Sequence, residues 1–148
     1  IGIAVSCLCE YTDLVHGGVI KDGEVLNEGT LEFLSKGAFS CAAEGANIVA
    51  PSDMMDGRMG HMRHALDASG YVNTLIMAYS VKYACAFYGA FREAADAAAA
   101  IGDRKSYKME FRNRKEALVE TELEVEEGAD NLMVKPALAY LDIVHMVN

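Results

Sequence analysis

Several residue types are scarce in this chain of 148 residues, and each scarcity excludes a class of protein. Four cysteines are too few for a disulfide scaffold. No apolar run reaches the roughly 20 residues of a membrane span, and no basic segment precedes a cleavage site. Only 13 lysines and arginines face 22 acidic residues, and the net charge of −9 does not suit a nucleic-acid surface. We expect a soluble cytoplasmic protein without nucleic-acid or membrane partners, or an organellar one if a targeting segment has been lost before Ile1.

The residues that are present fit one globular domain, because 52% are hydrophobic and 24% are charged. Apolar strand patterns alternate with helical patterns along the chain. The predicted strands are about Gly2–Cys9, Asn47–Pro51, Thr74–Tyr79 and Asn131–Pro136. The first predicted helix is capped by Asn27 or Thr30 and ended by Gly45. Further helices are predicted over Arg58–Ala68, Arg92–Ala100 and Asn113–Glu127, and another starts after Pro136. In the helix from Asn113, we expect Leu118, Val125 and either Thr121 or Glu122 to share the apolar face. The run Glu120–Glu127 is expected to be a solvated face.

The strands are too apolar to expose one face, so we expect a parallel sheet covered by helices. Four strand–helix units suit either a small open sheet or half of an eight-fold barrel. The chain starts within an apparent strand and stops within an apparent helix, which favours a central fragment of a barrel. The predicted fold is therefore α/β, a TIM (βα)8-barrel, with residues 1–148 forming a partial catalytic barrel domain of about four units.

Two lysines stand at strand ends in this scheme. Lys135 ends an apolar strand that Pro136 stops, and Lys82 lies just past another strand. An apolar floor and a nearby ammonium group each lower the pKa of an amine, which can then attack a carbonyl carbon to form a Schiff base. Alternatively, both lysines bind an anionic substrate as point charges. The spacing alone leaves both possibilities open.

Other chemically useful side chains share the same end of the predicted barrel, where catalytic residues of such barrels lie. Ser52 and Asp53 follow the second strand, and Arg92 and Arg104 lie in a segment that can close over a carboxylate. Exposed loop charge is the alternative for the arginines.

Cys7 and Cys9 follow the first strand and supply two soft thiolate ligands, which suit zinc. A zinc site needs one or two further ligands, for which His16 is the nearest candidate and Glu10 and Asp13 are weaker ones. The alternative is a pair of thiols with no metal.

Five blocks of the sequence resemble the porphobilinogen synthase family, also called 5-aminolevulinic acid dehydratase, and together they extend over nearly the whole chain. The blocks are Cys7–Thr12, Val49–Arg58, Met77–Arg92, Gly102–Tyr107 and Met133–Asp142. The resemblance implies an eight-stranded βα barrel, usually a homo-octamer. It also implies the condensation of two 5-aminolevulinate molecules into porphobilinogen with loss of water, on the route to haem and other tetrapyrroles.

The resemblance also implies roles for individual residues. Lys135 corresponds to the Schiff-base lysine and Lys82 to its partner. The resemblance implies zinc as the cofactor with Cys7 and Cys9 as its ligands, and magnesium is a further possible cofactor with no residues assigned to it. The implied substrate-binding residues are Tyr88, Arg92, Arg104, Ser52 and Asp53.

Four positions depart from the family pattern. Gly17 stands where zinc-dependent members have a third cysteine, and Val5 stands where an aspartate is expected. Lys108 replaces a glutamine, and Ala90 replaces a proline. Two alternatives stay open. One is an aldolase-type Schiff-base barrel for another keto acid. The other, kept open by Val5, Gly17 and Lys108, is a non-catalytic half-barrel that assembles with intact subunits.

Overall fold

The structure, a computed structural model, describes residues 1–12, 16–87 and 107–148. Its strands are β1 (Ile3–Ser6), β2 (Val19–Lys21), β3 (Glu24–Leu26), β4 (Ile48–Pro51), β5 (Leu75–Lys82) and β6 (Asn131–Lys135). Its helices are α1 (Asn27–Ala43), α2 (Arg58–Ala68), α3 (Arg114–Glu126) and α4 (Leu141–Met146), and a 3₁₀ turn covers Leu8–Glu10. The helix predicted over Arg92–Ala100 lies outside the described residues.

The main sheet is parallel and has the strand order β1-β4-β5-β6. Helices connect or follow its strands, as expected for a parallel sheet whose faces are covered. Because all four strands run the same way, their carboxyl ends meet at one edge of the sheet. The sequence analysis placed Lys82 just past this strand. In the structure β5 continues beyond Tyr79, and Lys82 is its last residue.

The core lies mainly between this sheet and helices α1 and α2. Leu34 of α1, Leu66 of α2 and Ile76 of β5 are fully buried there. Burying one such side chain stabilises the fold by about 1.5–3 kcal/mol relative to leaving it exposed. A second buried cluster lies under α3 and α4 and includes Val81, Tyr83, Met109, Ala117, Val134 and Ile143.

A hairpin that the sequence analysis did not predict precedes α1. Strands β2 and β3 pair antiparallel around Asp22 and Gly23, whose φ angles are 55° and 85°. Positive φ at both turn residues fits the two-residue turn that Asp-Gly favours. The Asp22-Gly23 dipeptide was therefore the signal from which this hairpin could have been predicted.

The start of α1 is also fixed differently from the prediction. Leu26 occupies the cap position and makes no side-chain cap bond. Asn27 instead binds the turn before α2, where its Oδ1 accepts a hydrogen bond from Asp56 N at 2.8 Å. Thr30 Oγ1 accepts a hydrogen bond from Val19 N at 3.0 Å, which ties the hairpin to the helix.

Gly18 allows this close approach between the hairpin and α1. A Cβ at Gly18 would lie 2.7 Å from Val25 Cγ1 and 2.9 Å from Thr30 Oγ1. We therefore expect Gly18→Ala to lower the free energy of unfolding by about 1–3 kcal/mol, measured by urea denaturation. Gly29→Ala is the control, because its nearest neighbour would be Leu26 Cβ at 3.7 Å; an equal loss in both variants would contradict the steric explanation.

Helix α3 turns a different face to the core from the one predicted. Leu118 and Val125 are 36% and 52% exposed, whereas Ala117, Thr121 and Glu124 are buried. Glu124 is only 4% exposed and pairs with Arg58 of α2, which is 3% exposed. The prediction was right for Thr121 and wrong for Leu118, Val125 and Glu124, because hydrophobic spacing does not display a buried ion pair with a distant arginine.

Candidate active site

Lys82 and Lys135 lie side by side at the carboxyl edge of the sheet. A bulge in β5 brings them into register: Ala78 pairs with Leu132, whereas Val81 pairs with Val134 and Lys82 with Lys135. Between these pairs β5 contains one more residue than β6. Bulges of this kind turn a side chain towards a new direction, often beside a functional site. If the ladder continued regularly from Ala78 without a bulge, Lys82 would lie opposite Pro136.

The amines of Lys82 and Lys135 both lie over the aromatic ring of Tyr79. The ring centroid of Tyr79, a buried residue of the bulge, lies 4.9 Å from Lys135 Nζ and 5.6 Å from Lys82 Nζ. A cation within about 6 Å of a ring centroid is attracted by the electron-rich face of the ring. Tyr79 therefore lies where it can hold both lysines at one place, a role that the sequence analysis did not assign to it.

The surroundings make both amines easier to deprotonate. Burial, followed by the charges of Lys135 and Lys108, lowers the pKa of Lys82 to about 7. Burial also lowers the pKa of Lys135. At neutral pH a substantial fraction of Lys82 is thus a neutral amine, the form that attacks carbonyl carbons.

The titration of Lys82 can be measured directly. We expect its acetylation by trace acetic anhydride, quantified by peptide mass spectrometry, to be half-maximal near pH 7, whereas a free lysine derivative follows a pKa of about 10.4. The unfolded chain binds more protons at Lys82 between these two values, so Lys82 makes the free energy of unfolding rise with pH there. A half-maximum near pH 10 would contradict the depressed pKa.

Ser52 and Asp53 directly follow β4 and lie beside Lys82. Lys82 Nζ donates a hydrogen bond to the carbonyl oxygen of Ser52. Asp53 is 2% exposed, and its Oδ1 accepts a hydrogen bond from Met55 N at 2.9 Å and lies 3.7 Å from Arg58 Nε. Burial raises the pKa of Asp53, while Arg58 opposes that rise. Substrate binding by Ser52 and Asp53 stays a prediction.

A buried arginine behind the lysines is a second feature that sequence reasoning missed. Arg58 Nη1 donates to the carbonyl oxygen of Met55 at 2.9 Å, and Nη2 donates to that of Tyr79 at 3.3 Å and to Glu124 Oε1. From the sequence, an arginine at the start of a helix that also contains His61, Arg63 and His64 resembles an exposed surface charge. Only the packing of α2 against α3 reveals that Arg58 is internal.

The predicted zinc ligands are arranged differently from a metal site. Cys7 and Cys9 form a disulfide, so each sulfur is bonded to the other. His16 is buried, and its Nδ1 lies 3.3 Å from Tyr107 Oη. Within residues 1–12, 16–87 and 107–148, no three histidine, cysteine, aspartate or glutamate residues gather to hold a metal ion. The donors in this disulfide form do not fit zinc.

Three predicted substrate-binding residues, Tyr88, Arg92 and Arg104, lie outside the described residues, as does Asp13.

Among the helices of the described ranges, none is both long and apolar enough to cross a membrane.

Comparison with known proteins places this arrangement in a family. Residues 2–148 match the family model described as delta-aminolevulinic acid dehydratase. The delta-aminolevulinic acid dehydratase of Methanothermobacter thermautotrophicus is 57% identical over 141 residues, which are 95% of this chain and 43% of that protein. The Bacillus subtilis protein of the same name is 54% identical over 145 residues, 98% of this chain and 45% of that protein.

A solved structure gives the same result. The crystal structure of the delta-aminolevulinic acid dehydratase (porphobilinogen synthase) of Toxoplasma gondii ME49, in complex with the reaction product porphobilinogen, matches with a TM-score of 0.93 and 44% identity. The match covers 98% of this chain and 42% of that one. The chain thus spans less than half the length of the relatives described here.

Proposed function

Because this chain belongs to the delta-aminolevulinic acid dehydratase family, we propose that it carries the paired lysines of a porphobilinogen synthase. The fold of this family is a TIM barrel, so the sheet β1-β4-β5-β6 is part of a barrel wall, as predicted. The proposed reaction condenses two molecules of 5-aminolevulinate into porphobilinogen with loss of water. The enzyme is accordingly a lyase of tetrapyrrole biosynthesis.

The observation that carries the proposal is the pair of strand-end lysines held in register over one ring. In the proposed step, the neutral amine of Lys135 attacks the ketone carbon of 5-aminolevulinate. The resulting carbinolamine loses water, and the nitrogen and carbon are left joined as an imine. The neutral fraction of Lys82 accepts the proton that the Lys135 ammonium must lose before it can attack.

The remaining roles belong to the same proposal. Arg92, Arg104 and Tyr88 bind the substrate, the two arginines through its carboxylate, while Ser52 and Asp53 complete the floor of the site. The working enzyme is a homo-octamer in the cytoplasm. The Toxoplasma gondii structure, which was solved in complex with the reaction product porphobilinogen, supports the substrate class.

Reductive trapping tests the proposal. The chain is incubated with 5-aminolevulinate and borohydride, which reduces an imine to a stable secondary amine, and the modified peptide is identified by mass spectrometry. We expect the adduct on Lys135. An adduct with another keto acid but none with 5-aminolevulinate would favour the aldolase-type alternative, and no adduct on either lysine would contradict Schiff-base chemistry in this chain.

Metal binding at Cys7 and Cys9 is proposed only for the reduced protein, since zinc requires thiolate ligands. We expect the disulfide form to take up no zinc at these residues and the form reduced with a phosphine to take up one ion that Cys9→Ser loses. Competition with a chromophoric chelator measures both. Equal zinc uptake before and after reduction would contradict the assignment. Cys41→Ser is the matched control, because Cys41 is a free cysteine of α1.

A further inference from the structure

The lysine pair depends on a bulge, and the structure shows what contacts that bulge. The extra residue of β5 falls between Ala78 and Val81, so Tyr79 and Ser80 together face a single residue of β6. A bulged residue leaves the regular ladder, so its backbone groups need other partners. The carbonyl oxygen of Tyr79 finds one in Arg58 Nη2, at 3.3 Å.

The guanidinium group of Arg58 joins three parts of the fold. It donates to the Met55 carbonyl in the loop after β4, to the Tyr79 carbonyl in the bulge of β5, and to Glu124 on α3. A planar fork with several fixed donors can make these bonds at once, whereas a lysine ammonium on a flexible stem cannot. Tyr79 lies three residues before Lys82 in β5. Met55 lies in the loop after β4, and in the same loop the Ser52 carbonyl oxygen accepts a hydrogen bond from Lys82 Nζ.

Charge explains why Glu124 is part of the same unit. Arg58 lies between Asp53 and Glu124, and burial raises the pKa of both carboxyl groups while Arg58 opposes the rise. An isolated buried guanidinium would be costly without these partners. The carboxylates thus fix the position of the arginine, and the arginine fixes the bulge.

We propose that Arg58, held by Glu124, is a positioning residue that anchors the Tyr79 carbonyl in the β5 bulge and so keeps Lys82 opposite Lys135. This inference rests on the proposed function for its catalytic meaning, but its geometric content concerns only the two amines. The charge of Arg58 contributes to the lowered pKa of Lys82, and Arg58→Lys keeps that charge. The positioning role is separate and acts through the backbone of β5 and the loop after β4.

Arg58→Lys tests the inference, because it keeps the positive charge and removes the fork. When Tyr79 and Met55 lose their anchor, water reaches Lys82 and its pKa rises. We expect the half-maximum of Lys82 acetylation to move up by about one pH unit, and trapping with 5-aminolevulinate at pH 7 to fall about tenfold. Glu124→Gln should shift the acetylation in the same direction by a smaller amount, since it keeps the fork but holds it less firmly.

Arg63→Lys is a matched control on the same helix. Arg63 also binds two backbone carbonyls, those of Thr74 at 2.7 Å and Tyr71 at 3.0 Å, and a carboxylate, Asp67, but it lies away from the bulge. We expect its replacement to lower the melting temperature without moving the acetylation profile of Lys82.

The outcomes separate this inference from the proposed function. Acetylation needs no substrate, so it reports on Lys82 independently of the reaction with 5-aminolevulinate. If the wild-type chain forms no adduct with 5-aminolevulinate, that result overturns the proposed function but not the positioning role of Arg58. A folded Arg58→Lys variant with an unchanged Lys82 profile would overturn the positioning role and leave Arg58 as a purely structural residue. If Arg58→Lys does not fold, the profile of Glu124→Gln decides in the same way.

Discussion

Replacing Lys135 with methionine should remove the borohydride-stable adduct with 5-aminolevulinate, with a loss of about 1,000-fold or more in the rate of trapping. Methionine keeps most of the apolar stem, so the packing against the Tyr79 ring changes little. What disappears is the amine that forms the imine. Trapping followed by peptide mass spectrometry measures the loss, and thermal denaturation verifies the fold.

A matched control is available for this variant. Lys36 is exposed and also lies over an aromatic ring, with its Nζ 5.4 Å from the ring centroid of Phe33. Lys36→Met should leave trapping unchanged. Retention of the full adduct in Lys135→Met, carried instead by Lys82, would show that the two lysines have exchanged the roles proposed for them.

Replacing Arg58 with methionine should lower the free energy of unfolding by roughly 3–5 kcal/mol, the usual result of removing one partner from a buried ion pair. Asp53 and Glu124 would then be buried carboxylates without their cation. Urea denaturation measures the loss. Arg63→Met should lose less, because the side chain of Arg63 is 19% exposed and Asp67 beside it is 47% exposed.

The loss in Arg58→Met should also depend on pH in a definite direction. The pKa values of Asp53 and Glu124 are raised in the folded protein, so the cost of burying their charges is fully present at higher pH and decreases as the pH falls through the raised values. We therefore expect the variant to recover stability in mild acid relative to wild type. Adding Asp53→Asn and Glu124→Gln should restore part of the loss at neutral pH. A deficit that grows in acid would contradict this explanation.

The sequence predicted best what is encoded locally. The bounds of α2 were predicted as observed, and Pro136 correctly marked the end of β6. The alternation of apolar strands with helices was sufficient to predict a parallel α/β fold, and the five sequence blocks were sufficient to predict the family. These features depend on composition and spacing, which a single sequence displays.

The features that set the geometry of the site were not predictable in the same way. A bulge between Ala78 and Val81 leaves no mark in composition, because the extra residue is an ordinary strand former. The burial of Glu124 depends on a partner 66 positions away. Hydrophobic spacing favoured Leu118 and Val125 for the core of α3, and the charge pair overrode it. Long-range electrostatics therefore determined what the local pattern left open.

The single ring of Tyr79 beneath two amines has a consequence for how this site handles protons. Each amine that gains a proton makes the next one harder to add, since the two charges would share one aromatic face. The positive charge of Lys135 contributes to the lowered pKa of Lys82. A carbonyl compound that converts Lys135 into a neutral imine would remove that charge, and we then expect the pKa of Lys82 to rise.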